Sequence, residues 1–200
     1  YNGADDDGSG TVALLGIAKA FARGEKPKRS LMFVWHTAEE GGLRGSRYNA
    51  EQIDPSKIAA VLNIDMIGRN ANDDPANANQ LFIIGSDRIS TELHNINEDA
   101  NASLATPLAL DYALNDPADP ESLYTRSDHY SYAARGIPIV FFFTGLHPDY
   151  HQVSDEVDKI NFEKLARVTR LVYETGRRVA NLDRAPERDN KGPRAGKGFK

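Results

Sequence analysis

Ile137-Pro138-Ile139-Val140-Phe141-Phe142-Phe143 is the longest apolar run in the sequence. A membrane-crossing helix takes about 20 such residues, so this run cannot span a bilayer. It shows none of the polar alternation of a strand with one wet face and reads as a strand buried on both sides. Leu31-Met32-Phe33-Val34-Trp35 reads the same way, as do 58–64 (IAAVLNI) and 81–84 (LFII). Helical spacing separates these strands. Residues 11–22 form an apolar-faced helix, with Asp7 or Ser9 as N-cap and Gly24 as the stop. Residues 88–101 suit a polar-faced helix, and 162–179 place Leu165, Val168, Leu171, Val172 and Val179 on one side of another. This alternation predicts one α/β domain with a largely parallel or mixed sheet. The chain opens in a loop, 1–10, where a strand should feed the first helix, so the first strands are expected to be missing from this chain.

Composition fits that reading. Of 200 residues, 40% are hydrophobic and 26% charged, enough apolar material for a core. The absence of cysteine excludes a disulfide scaffold, a thiol nucleophile and a thiolate metal site. Net charge is −5, and the basic residues are concentrated at the end: 184–200 holds six bases and two acids. The rest of the chain is acidic and carries no basic stripe for nucleic acid. The expected organisation is a domain over 1–183 and a flexible basic tail over 184–200.

Functional side chains in α/β sheets gather in loops at the carboxyl ends of strands. Four such loops here are acidic or carry histidine: 2–10 with Asp5-Asp6-Asp7, 37–42 with Glu39-Glu40, 63–68 with Asp65, and 148–152 with His151. Each alone has a plain explanation, the Asp triplet as a helix cap and the glutamates as solvated acids. Together they concentrate negative charge that a cation would neutralise, and their oxygen and nitrogen donors suit Zn²⁺, Mn²⁺ or Co²⁺. Adjacent side chains at a strand end point in different directions. One glutamate of the pair can therefore hold metal while its neighbour takes a proton from water, the equipment of metal-assisted hydrolysis.

Five segments in order, GADDDGSGTVALLGIAKAF (3–21), HTAEEGGLRGSRY (36–48), NIDMIGR (63–69), RSDHYSY (126–132) and YHQVSDEVDKI (150–160), resemble the zinc aminopeptidases of metallopeptidase family 28, the bacterial leucyl aminopeptidase and aminopeptidase Y type. The resemblance implies a three-layer α/β/α sandwich around a mixed sheet. It implies Asp6 as a carboxylate bridging two zinc ions, Glu40 and His151 as further ligands of one, and Asp65 as a ligand of the other. It further implies Glu39 as general base, Tyr150 as an oxyanion donor and Arg126 as a substrate contact. His129 is expected to be structural, and His36, His94 and His147 receive no ligand role. A further His ligand, in an His-x-Asp motif upstream of the Asp loop, is not in this sequence, so one zinc per chain is expected here against two in a complete domain.

The expected activity is removal of N-terminal residues from peptides. On the same scaffold the alternatives are a carboxypeptidase or a glutaminyl cyclase; outside catalysis, a metal-free binding module. The expected partner is a peptide, with no nucleic acid and no membrane span. The resemblance also implies a secreted or periplasmic bacterial protein.

Overall fold

Ile139–Phe143 (β4) lies at the centre of the sheet, and all five of its residues are buried. The computed structural model describes residues 2–192. The sheet has four strands in the order β1-β4-β2-β3, with β1 at Val61–Ile64, β2 at Gln80–Ile84 and β3 at Ala109–Asp111. β1 runs parallel to β4 and β2 parallel to β3, while β2 and β4 are antiparallel, with Ile83 opposite Phe142. The sheet is mixed, as expected.

Alternate residues face opposite layers, which is why β4 needs no polar position. Val140 and Phe142, with Leu81 and Ile83, pack against α1 (Gly8–Arg23), α3 (Thr91–Ala102) and α5 (Phe162–Asn181) through Ala13, Ile17, Leu93, Val168 and Leu171. Phe141 and Phe143 face the other way, onto Met66, Leu123 and Tyr150. On that side Ala50 of α2 (Arg44–Gln52) and Tyr132 of α4 (His129–Ala133) close over Ile137 and Ile139.

Element ends follow local chemistry. Asp7 caps α1 by accepting from the Gly10 N–H at 3.1 Å, and Gly24 ends it. Pro138 has no N–H to give a ladder, and its carbonyl accepts from Val61, so β4 begins at Ile139 rather than Ile137. The expected strand over 58–64 shortens to Val61–Ile64 because Pro55 nucleates a tight turn that holds the Ile58 N–H. Ser90 caps the Leu93 N–H and starts α3 at Thr91, later than position 88.

One expected strand is not formed. Residues 31–36 run without helix or ladder, because a strand exists only where a neighbour supplies its hydrogen bonds, and no described segment does so there. A groove of about 990 Å³ lies between 31–36 and 58–65, floored by α1 and α5. The described part of the tail, 184–192, is not a free end. Arg188 donates to the Pro55 and Ile58 carbonyls, Arg184 pairs with Glu92 at 2.7 Å, and Asp189 accepts from Thr91 N–H. The rest of the expected tail, 193–200, lies outside the described residues.

Candidate metal centre

The loop before α1 carries three aspartates that do three different things. Asp7 accepts from Gly10 and Met66, tying the helix start to the end of β1. Asp5, fully buried, accepts from Gly68 N–H at 2.7 Å and sits 3.2 Å from His147 Nε2. Gly68 is required by that approach, since a Cβ there would meet Asp5 Oδ1 at 2.8 Å. Asp6 between them is left to face the cleft, and its Oδ2 is a buried oxygen that accepts no hydrogen bond.

Asp6 Oδ2 lies 3.2 Å from His151 Nε2, which is in turn 3.0 Å from Glu40 Oε1. Donor atoms of Asp6, Glu40 and His151 all fall within 4.8 Å of one another. Two carboxylate oxygens, that of Asp6 buried, and an imidazole nitrogen fit a divalent cation such as Zn²⁺, which takes three protein ligands and a water at catalytic sites. His151, Met66 and Ala38 hold positive φ, a conformation costing about 1–3 kcal/mol each in non-glycine residues and common at functional sites.

The electrostatics of the cleft point the same way. Burial first, then the like charges of Asp65 and Glu40, pushes the Asp6 carboxyl up to about 7. Burial, with Asp65 and Asp128 next, raises Glu39 to about 8. Asp65 rises to about 6 through burial, although Ser127 Oγ donates to it at 2.7 Å. So many carboxylates disfavouring their charged forms in one place describe a site short of positive charge.

Tyr150 stacks on His151 at 3.8 Å between ring centroids, and its hydroxyl accepts from Arg126 Nη2 at 3.4 Å. Arg126 is also paired with Glu121 at 2.8 Å. Beside the cluster is a small pocket where Asp6, Glu39, Glu40, Asp65, Arg126, Tyr150 and His151 meet the apolar side chains of Met66, Leu123, Phe141, Phe143 and Leu146. All seven expected site residues therefore line one pocket. Sequence reading missed Asp128, a half-buried acid next in influence on Glu39 after Asp65, and Ser127, which orients Asp65 and accepts from Asn63 at 2.9 Å. Their signal is the run RSDHYSY (126–132), which places a hydroxyl and an acid directly after Arg126. His129 is structural, as expected: it is buried and stacks on Phe141 at 4.5 Å.

Residues 1–176 match the profile of peptidase family M28. The chain belongs to that family. Leucine aminopeptidase 2 of Arthroderma otae is 28% identical over 218 residues, covering 96% of this chain and 42% of that protein. An aminopeptidase from Aneurinibacillus sp. strain AM-1 has the same fold at a TM-score of 0.73 and 26% identity, over 96% of this chain and 43% of its own. BSAP, a zinc aminopeptidase from Bacillus subtilis, shares the fold at a TM-score of 0.73 and 22% identity, over 94% and 46%. This M28 chain thus spans less than half the length of each of these three relatives. Among its described residues, no helix is long and apolar enough to cross a membrane.

Proposed function

We propose that this M28 chain carries the metal-binding and proton-transfer machinery of a zinc exopeptidase that removes N-terminal residues from peptides. The observation that carries the reading is the convergence of Asp6, Glu40 and His151 within 4.8 Å in a chain of this family. Those three residues would hold zinc, with Asp6 and Asp65 contributing to a second ion in the longer protein. When bound, the cation supplies a Lewis acid that acidifies water and polarises the scissile carbonyl. Glu39 takes the water's proton and hands it to the leaving amine. Burial and the neighbouring Asp65 and Asp128 favour its protonated form, and a cation nearby would favour the carboxylate, the form able to take a proton. Burial raises the Tyr150 hydroxyl further above neutrality, so it stays a donor and can hydrogen-bond the carbonyl oxygen as charge develops there. The apolar wall of Met66, Phe141 and Phe143 suits an uncharged substrate side chain, and Arg126 stands at the rim as a substrate contact.

The organisation proposed is a peptidase domain over 1–183 with a basic extension beyond it, in a protein secreted or periplasmic. The test is a panel of aminoacyl-anilides and blocked C-terminal dipeptides, assayed with the longer protein and zinc. Release from the free-amino substrates alone supports the reading. Turnover of only the C-terminal dipeptides, or cyclisation of N-terminal glutamine, overturns it.

A further inference from the structure

Asp155 is 1% exposed and takes no part in the chemistry above, yet it joins the loop of Asp6 to the loop of His151. Its Oδ2 accepts from Asp5 N–H at 3.0 Å and from Asp6 N–H at 3.1 Å, and its Oδ1 accepts from Asp5 N–H at 3.1 Å. Its backbone carbonyl accepts from Ala4 N–H at 3.2 Å. Other anchors of the Asp loop, Asp5 to Gly68 and Asp7 to Met66, fix it to the end of β1, and the exposed Asn2 adds bonds to the Val153 carbonyl and Glu156. Asp155 is the buried link that fixes the Asp5 and Asp6 amides themselves to the loop that bears His151. That loop is gripped a second time through Asp149, bound by Arg69 at 2.8 Å and Lys159 at 2.8 Å. Arg69, itself buried, also stands 3.8 Å from Asp155 Oδ1 and offsets its charge.

We propose that Asp155 is a positioning residue: by clamping the Asp5 and Asp6 amides from within the His151 loop, its carboxylate sets the distance between Asp6 and His151. A carboxylate accepting from two backbone amides is a stiff, charge-assisted joint, and partners that orient metal ligands are commonly worth 10–100-fold in metal affinity. The proposal rests on the reading of Asp6, Glu40 and His151 as zinc ligands, and its test separates the two.

Zinc affinity is measured by competition with a chromogenic chelator on the full chain and on Asp155→Ala, Asp155→Asn and Asp155→Glu. Val168→Ala, a core truncation in α5 away from the site, controls for lost stability. Asp155→Ala is expected to bind zinc about 10–100-fold more weakly. Asp155→Asn keeps one oxygen in reach of both amides and should recover most of that loss; Asp155→Glu keeps the charge, displaces it by a methylene and should not. Hydrogen exchange of the Asp5 and Asp6 amides should quicken in the same order, while Val168→Ala melts earlier yet keeps its zinc. Should Asp155→Ala not fold, the Asn and Glu variants decide alone, and equal affinities overturn the proposal. Wild-type affinity in Asp155→Ala also overturns it and leaves the metal site standing. An unaltered chain that takes up no zinc removes the metal site, and the proposal with it.

Discussion

Glu39 and Glu40 are chain neighbours, but only Glu40 reaches the ligand triad. That separation makes a sharp prediction for single residues. Glu39→Gln in the longer protein keeps the side chain's shape and removes the proton acceptor, so turnover should fall about 10²–10⁴-fold. Zinc content should stay at the wild-type level, and metal analysis beside kcat reads both; ordinary kcat, or lost zinc, refutes the assignment. His151→Ala is expected to do the reverse. With three ligands at one position and only Asp6 and Asp65 for another, the dialysed chain should retain about one zinc, and His151→Ala none. Two tightly held ions would require a ligand beyond those named. The loops that bear Asp6, Glu39, Glu40, Asp65 and His151 were legible in the sequence because each lies past an apolar run or before a capped helix, whereas the choice of Asp6 within its triplet and of Glu39 as base rests on the family resemblance. Asp128 and Asp155 were not legible. An aspartate's influence on Glu39, or its grip on amides 150 positions away, is a property of its partners and leaves no trace in local spacing.

At the scale of elements, α4 begins on a histidine with no water to turn to. Burial drives the His129 imidazole down to about 3, its Nε2 donates to the Tyr124 carbonyl at 2.8 Å, and its Nδ1 has no partner. The unfolded chain takes up that proton near pH 6.5, while the folded chain resists it until about pH 3. Stability is therefore lost as pH falls through that window, by up to about 1.4 kcal/mol per pH unit. His129→Gln, whose amide can still donate to Tyr124, should show a shallower decline. Urea midpoints at pH 7, 5.5 and 4.5 compare the two, and parallel declines would remove His129 as the cause. Element patterns themselves were readable where burial is two-sided or amphipathic, as in β4, α1 and α5. β3 was missed because three residues, Ala109, Leu110 and Asp111, are too few to carry a period. The run 31–35 has a strand's composition, but composition alone does not supply a partner.

For the whole molecule, the unpartnered run and the outer edge of β1 leave a continuous apolar face. Val12 and Leu15 on α1 are 55% and 62% exposed, and Met32 and Trp35 opposite them are 59% and 47% exposed. Such a face, beside unpaired ladder groups, is a site of association. The isolated chain should bind a hydrophobic dye or sediment as more than a monomer; a dye-silent, cooperative monomer would show the face to be harmless. The long reach of Asp155 bears on how such a chain is made. A ribosome adds about 5–20 residues per second, so the Asp5–Asp7 loop leaves the tunnel roughly eight to thirty seconds before the segment that clamps it, 150 positions on. Throughout that interval Asp6 is solvated and unaligned. A metal site built on Asp6 and His151 could therefore form only once residue 155 has been made and the two distant loops have met.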